Sequence, residues 1–349
     1  MNPLVSILIP AYNAEQWIAG TLKSALDQTW PRKEIIVVDD GSRDRTLQVA
    51  QQFASKNVVV VTQENRGAST ARNKAFELCQ GDYIQWLDAD DLLTPAKIAE
   101  QMAASERCGS ERTLFSSAWA RFYYRIDRAI FTPTSLWCDL SPVEWLVRKM
   151  GENLHMPPAT WLVSRKLTQM AGPWDTRLSL DDDGEYFCRV ILASDGIRFV
   201  PAAQVFYRAS GFGSLSSVDW SDKKFRSAFL SMQLHISHVL SLEDSERVRA
   251  TCLKYLQRRF LRFYPEQVTF VNQLQQLATS LGGQLETPRL PWEYSWMQRV
   301  FGWTVTKRTR QYYNRLKWSV IRSWDRLLFI LGPQNLATTA GKCRAEWTM

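Results

Sequence analysis

Three carboxylates, Asp88, Asp90 and Asp91, crowd the end of the apolar run "YIQWL". Like charges set this close repel, so the chain needs a counter-charge. A hard divalent cation such as Mg²⁺ or Mn²⁺ prefers carboxylate oxygen and is commonly completed by substrate phosphates. Alternate side chains of a strand end point to one side, which lets Asp88 and Asp90 converge. A solvated acidic turn before the next helix, with Asp91 helping to cap it, accounts for the same residues taken alone. A second pair, Asp39 and Asp40, closes "KEIIVVDD" ahead of Gly41. It suits either acceptance of a ligand N–H or capping of the turn. A third cluster, Asp181, Asp182, Asp183 and Glu185, opens a helical pattern whose N-terminal dipole favours negative charge. Capping needs one or two carboxylates; four leave room for a general base acting on an acceptor hydroxyl. In "NRGASTARNKA", Gly67 permits close backbone approach, and Arg66 and Arg72 near a helix start could meet a diphosphate.

The elements that must position these groups alternate. "VSILIP" (5–10), "KEIIVVDD" (33–40), "NVVVVTQ" (57–63) and "GDYIQWLD" (81–88) read as buried strands. Between and after them, 14–28, 44–55, 68–79 and 94–105 read as helices, with Asp44 capping the second and Pro95 in the first turn of the fourth. Trp17, Ile18, Leu22, Ala25 and Leu26 share one face of the first. This order predicts an α/β fold with a mostly parallel, Rossmann-like sheet flanked by helices. Ligands of such sheets bind outside the carboxyl ends of the strands. "PAYN", "DDGS", "QENRG" and "DADD" all fall there, so four polar clusters converge on one rim. Beyond 110 the pattern loosens: strands at 113–124 and 197–208, helices near 142–150 (capped at Ser141) and 184–194, then helix from 220 to about 280.

With 45% hydrophobic and 22% charged residues the chain builds an ordinary globular core. The six cysteines are scattered without metal-ligand spacing, and no leader or spanning segment is legible, so reduced thiols in the cytoplasm are expected. The net charge of +8 is local: from residue 288 onward there are 11 Lys and Arg against three Asp and Glu, and six of the 15 tryptophans. The expected division is a main body over 1–217 in two halves (1–105 and 106–217), a helical extension over 218–287 and a basic tail over 288–349.

"SILIPAYNAEQWIAGTLKSALDQ", "EIIVVDDGSRDRT", "QENRGASTARNKA", "GDYIQWLDADD" and "WLVSRKLTQMAGPWDTRLSLDDDGEYFCRV" closely resemble the family-2 glycosyltransferases of GT-A fold, a likeness covering roughly residues 3–217 and ending near "YRASGFGSLS". The resemblance makes 1–217 the catalytic domain, with 1–105 its nucleotide-binding half and 106–217 its acceptor half, and implies a nucleotide-diphospho-sugar donor, Mn²⁺ or Mg²⁺, and a glycan or lipid-linked glycan acceptor. It places Pro10, Ala11, Tyr12, Asn13 and Glu15 in the loop embracing the nucleotide, with Tyr12 against the base. Asp39 would accept the base's ring N–H, which favours uracil or thymine over cytosine and hence a UDP-linked sugar. Arg66, Gly67, Arg72 and Asn73 would lie along the sugar and diphosphate. Asp88, Ala89 and Asp90 match the family's D-x-D motif, with Asp90 the surer metal ligand and Asp88 its partner. The family's Glu-Asp pair becomes Asp182-Asp183, aligned through Arg189. Asp183 is then the candidate base of an inverting displacement, and the change at 182 leaves Asp182 as its alternative.

Two other functions fit the same cradle. A sugar-nucleotidyltransferase would carry a Gly-rich, basic triphosphate loop, which "PAYNAEQW" lacks. A non-catalytic sugar-nucleotide-binding or scaffold protein is disfavoured by Asp88, Asp90 and Asp183 occurring together. His235 and His238 read as packing or surface residues, and a role for His155 beside the acceptor is an open expectation. In the tail, residues 291–331 interleave aromatic and basic residues, with Tyr313, Leu316, Val320, Trp324, Leu327 and Leu328 near one stripe and Arg315, Arg322 and Arg326 largely off it. That suits peripheral contact with the inner membrane face ahead of packing on the catalytic domain or contact with another protein. No RNA-binding motif is present, so nucleic acid is not an expected partner.

Overall fold

Strand β1 (Val5–Ala11) lies between β2 (Lys33–Asp39) and β4 (Tyr83–Trp86), and β3 (Val58–Thr62) flanks β2, all parallel. The computed structural model describes residues 2–209, 221–288 and 291–331. Residues 210–220, where the family resemblance ends, and the tail beyond 331 lie outside them. The sheet order is β3-β2-β1-β4-β8, with the short β8 (Val163–Ser164) antiparallel at the edge. Both faces are covered. Leu8, Ile36 and Val38 point into one core cluster, and Val5, Ile7, Ile9, Ile35 and Val37 into another. Burial on two sides is why these strands read as continuous apolar runs rather than alternating ones.

Helices α1 (Ile18–Leu26), α2 (Thr46–Gln51) and α3 (Ala68–Leu78) follow as the sequence pattern predicts, with shorter ends, and α4 (Lys97–Cys108) is displaced toward the C-terminus. Ile18, Leu22 and Ala25 of α1 are buried, whereas Leu26 is exposed. Asp44 accepts the Thr46 N–H at 2.9 Å as α2 begins. α4 starts later than expected and stops at Gly109, whose φ of 68° closes the helix in the left-handed region.

A second sheet, not legible as such in the sequence, has the order β5-β9-β6-β7: β5 (Leu92–Leu93), β6 (Thr113–Phe122), β7 (Ile130–Phe131) and β9 (Gly196–Arg208). Its central pair, β6 and β9, is parallel. Between them come α5 (Pro142–Glu152), capped by Ser141 accepting from Glu144 N at 3.3 Å, α6 (Arg165–Ala171) and α7 (Asp182–Ala193).

The helices of the extension, α8 (Asp222–Leu242), α9 (Glu246–Phe260) and α10 (Val268–Ser280), are not a separate body. Met232, Ile236, Cys252 and Leu256 share one cluster with Trp145, Tyr186 and Ile191 of α5 and α7. The last helix, α11 (Ser295–Leu331), bends at Gly302 (φ 77°, ψ 174°).

Candidate active site

The loops that follow the strands are tied to one another before any ligand arrives. Asn13, itself at φ 48°, donates its N–H to Ser42 Oγ at 3.0 Å and accepts the Arg43 N–H at 2.9 Å. Glu15 accepts the Arg45 N–H at 3.0 Å. Asn13 and Glu15 therefore shape the loop after β1, and the Tyr12 ring stands exposed at its rim, with Pro10 and Ala11 closing the strand beneath. Asp40 is a loop former too: it accepts from Arg66 N at 2.9 Å, Gly67 N at 2.8 Å and the Gln63 amide at 2.8 Å. The tight approach depends on Gly41, since a Cβ there would sit 2.8 Å from Asn65 N.

Asp39 differs from its neighbour. Its Oδ2 accepts from Thr62 Oγ1 at 2.9 Å and Ser42 N at 3.3 Å, but Oδ1 is buried without a partner in the protein. A buried acceptor left over in this way fits a ligand N–H.

At the carboxyl end of β4, Arg72 answers part of the charge question. Its guanidinium donates to Asp88 Oδ1 at 2.9 Å and to Asp182 Oδ2 at 2.7 Å, and lies 4.3 Å above the Trp174 ring. Burial works to lower its pKa, but Asp88 and Asp182 outweigh it and raise the value. Arg72 is thus directed at protein carboxylates. Asn73 is equally engaged: its amide exchanges two hydrogen bonds with the Trp174 backbone, at 2.8 and 2.9 Å. Gly67 takes φ 94° at the start of α3, and Arg66 beside it is exposed.

Asp91 is not the expected helix cap. It is fully buried beneath the end of β9, where Oδ1 accepts the Arg208 N–H at 2.8 Å and Oδ2 has no partner in the protein. Burial, then the neighbouring Asp90 and Asp88, push its pKa well up. Arg208 also donates to the Asp90 carbonyl at 2.8 Å and covers the Trp17 ring at 4.1 Å. Asp88 and Asp90 remain half-buried at the rim, with Ala89 buried between them. Among the described residues, no three His, Cys, Asp or Glu gather into a protein-only cage. Two half-buried carboxylates at the rim nevertheless suit a cation completed by phosphates.

The start of α7 separates the four remaining carboxylates. Glu185 pairs with Arg189 at 2.7 Å and His238 at 3.2 Å, inside the fold. Asp182 is held by Arg72 and by Ser69 at 3.3 Å. Asp181, in the left-handed region at φ 60°, accepts from Ser231 at 2.8 Å. Its pKa is drawn down, against burial, by Arg259, His235 and Lys149. Asp183 lines a cavity of about 140 Å³ together with Asp181, Lys149, His155 and Arg259, over a wall of Trp145, Trp161 and Phe187. Desolvation, then Asp182 and Asp181, raise the Asp183 pKa to about 7, with Arg72 and Lys149 opposing. Such a carboxyl is poised to take a proton near neutral pH.

Several of these groups were not read from the sequence. Lys149 comes from α5 and Arg259 from α9; His235 of α8 is buried, its Nδ1 lying 3.2 Å from Ser231 and 3.3 Å from Tyr255, with Lys149 3.5 Å from Nε2. Nothing local in "LQRRF" or "QLHISH" marks them, because their meaning depends on which helix face meets α7.

Residues 6–120 match the family model described as "Glycosyl transferase family 2". About a third of the chain is thus similar to the family-2 glycosyltransferases. Relatives of that family include TuaG of Bacillus subtilis, a glycosyltransferase named for teichuronic acid biosynthesis, 39% identical over 40% of this chain and 56% of its own length. Another, from Escherichia coli, is the UDP-Glc:alpha-D-GlcNAc-diphosphoundecaprenol beta-1,3-glucosyltransferase WfaP, 36% identical over 36% of this chain and 49% of its own length. The matches thus span about half the length of these glycosyltransferases. The crystal structure of S. aureus TarS 1–349 in complex with UDP-GlcNAc aligns over 80% of this chain and 81% of that one, with a TM-score of 0.64 and 19% identity. That alignment covers more of the chain than the family-2 match and shows a shared GT-A-type fold.

Proposed function

We propose that the chain is an inverting glycosyltransferase that moves a sugar from a UDP-linked donor to a hydroxyl of a glycan, carried on lipid. The observation that carries this reading is Asp183: a cavity carboxyl with its pKa raised to about 7, linked to the Asp88–Asp90 rim by the Arg72 bridge through Asp182. The leftover acceptor on Asp39 supports recognition of uracil, whose N3–H it can take. Tyr12 supplies an exposed ring for the base, and the exposed Arg66 stands just before α3 for the diphosphate. The names of the relatives support a glycan acceptor, and that of WfaP a lipid diphosphate carrier.

In this reading the acceptor hydroxyl enters the cavity and Asp183 takes its proton as the oxygen attacks the anomeric carbon. Attack comes from the face opposite the departing nucleotide, so configuration inverts. Asp182, fixed by Arg72 and Ser69, orients the helix start and keeps the Asp183 pKa high. Asp90 and Asp88 would hold Mn²⁺ or Mg²⁺, which when bound neutralises charge on the leaving diphosphate. The wall of Trp145, Trp161 and Phe187 bounds the acceptor side.

The test is a panel of nucleotide-sugars, following nucleotide release with Mn²⁺ present. A UDP-sugar should be turned over, and Asp183→Asn should keep donor binding while losing transfer. Full turnover by Asp183→Asn would sink the assignment of the base.

A further inference from the structure

Among the described residues, 24 large hydrophobic side chains are exposed, and 16 of them lie between Trp292 and Leu331. Exposed apolar surface on this scale marks an interaction face. Its arrangement is ordered. Tyr313, Leu316, Val320, Trp324, Leu327 and Leu331 are 45–72% exposed. At about 100° per residue they fall within an arc of about 80° on α11.

The same helix touches the body from another side. Asp325, about 140° round from the stripe's centre on that geometry, accepts from Tyr124 N at 2.9 Å and Arg125 Nε at 2.6 Å. Further back, Lys307 donates to Tyr264 O at 2.7 Å and Glu266 at 2.8 Å. Packing on the catalytic body, the alternative weighed from the sequence, therefore engages the polar anchors and leaves the apolar stripe outward.

We propose that this outward stripe of α11 is a docking face for an anionic lipid bilayer, lying in the interface rather than crossing it. No helix among the described residues is long and apolar enough to cross a membrane. Between Ser295 and Leu331 there are eight Lys and Arg and one acidic residue, Asp325, which the body already holds. A second copy of this helix would bring like charge against like, whereas an anionic headgroup layer complements it. Trp and Tyr in the stripe suit the boundary between headgroup and acyl chain.

The placement bears on the proposed chemistry, and this part rests on that reading. Tyr124, beside the Asp325 anchor, lies 5.4 Å from the Trp17 ring. Trp17 in turn carries Arg208, which donates to the Asp90 carbonyl. Docking α11 thus brings the bilayer to the side of the molecule that holds the Asp88–Asp90 rim, where a lipid-carried acceptor would arrive.

The experiment is flotation of the full chain with vesicles of phosphatidylcholine, with and without phosphatidylglycerol, in the absence of donor. Wild type should float with the anionic vesicles, less so as salt rises. Leu316→Glu with Trp324→Glu should weaken binding by about tenfold or more, since each removed side chain forfeits a large share of its apolar transfer energy. Both positions are exposed, so melting temperature and UDP binding should not change. Val268→Glu, exposed but remote in sequence from the stripe, should float like wild type. Equal flotation of wild type and the double variant, or no preference for anionic lipid, overturns the proposal. So does lipid-free self-association that the same two substitutions abolish, which would assign the stripe to a second copy. Because flotation needs no turnover, its failure leaves the transferase reading standing, and failure of transfer leaves the docking face standing.

Discussion

Replacing Asp183 by Asn should make the protein more stable and less active, with both effects governed by pH. The carboxyl's ordinary value of 3.8 is raised to about 7 by burial and by Asp182 and Asp181. A folded state with a raised carboxyl pKa binds a proton that the unfolded chain releases. Stability is therefore greatest below the unfolded value and falls as pH climbs from about 4 to about 7, then levels. A fully enclosed group shifted by about three units would cost about 4 kcal/mol at alkaline pH. Asp183 is only part-buried where it borders the cavity, so solvent screening reduces this to about 1–2 kcal/mol. Asp183→Asn removes that penalty, and the melting temperature at pH 8 should rise by about 1–3 °C, with about two-fifths of that gain at pH 5. Wild-type kcat/KM with an active UDP-sugar should rise with pH and level off above about 7, and the variant should lose about 10²–10⁴-fold. Differential scanning at both pH values, paired with the transfer assay, decides. A melting gain equal at pH 5 and pH 8, or a flat wild-type pH profile, refutes the reasoning.

Further outcomes follow from other contacts. Arg72→Met should destabilise by about 3–5 kcal/mol in a denaturant titration, because Asp88 and Asp182 lose their shared cation. Restoring only charge with Arg72→Lys should recover part of that loss, since a single ammonium cannot reach both carboxylates in the forked geometry. Asp39→Asn should weaken UDP binding by about tenfold or more in calorimetry, as the unpartnered acceptor facing a ring N–H becomes ambiguous in sign; unchanged affinity would remove Asp39 from base recognition. Gly41→Ala should cost more stability than Gly67→Ala, although both glycines have positive φ. A Cβ at 41 meets the Asn65 backbone at 2.8 Å, while one at 67 meets nothing within 4 Å. Equal melting losses would show that strain alone, without the clash, sets the cost.

Legibility in the sequence tracked the range of the interactions. β1 to β4 were visible because both sheet faces are buried, which writes "VSILIP" and "KEIIVVDD" as unbroken apolar runs. Their polar ends fell on one rim because parallel strands put every carboxyl end on one side. The second sheet was hidden: β5 is two residues long and means nothing until it pairs with Phe206 and Val205. Asp91 read as a cap because its partner, Arg208, lies 117 residues away. The division of labour between Asp182 and Asp183 was likewise undecidable locally, since Arg72, 110 residues earlier, holds Asp182 and leaves the cavity to Asp183. Lys149 and Arg259 escaped notice for the same reason, and His235, read as a packing or surface residue, is buried beside them. The extension read as a separate segment because its helical pattern does not say that Met232 and Leu256 complete the core begun by Trp145 and Tyr186.

The most direct test of the central claim is the anomeric configuration of the product, read by proton NMR on glycan made from a UDP-sugar of known configuration. One displacement assisted by Asp183 yields the opposite configuration to the donor's. A product that retains it would mean two displacements or a front-face route, and Asp183 could not be the base described.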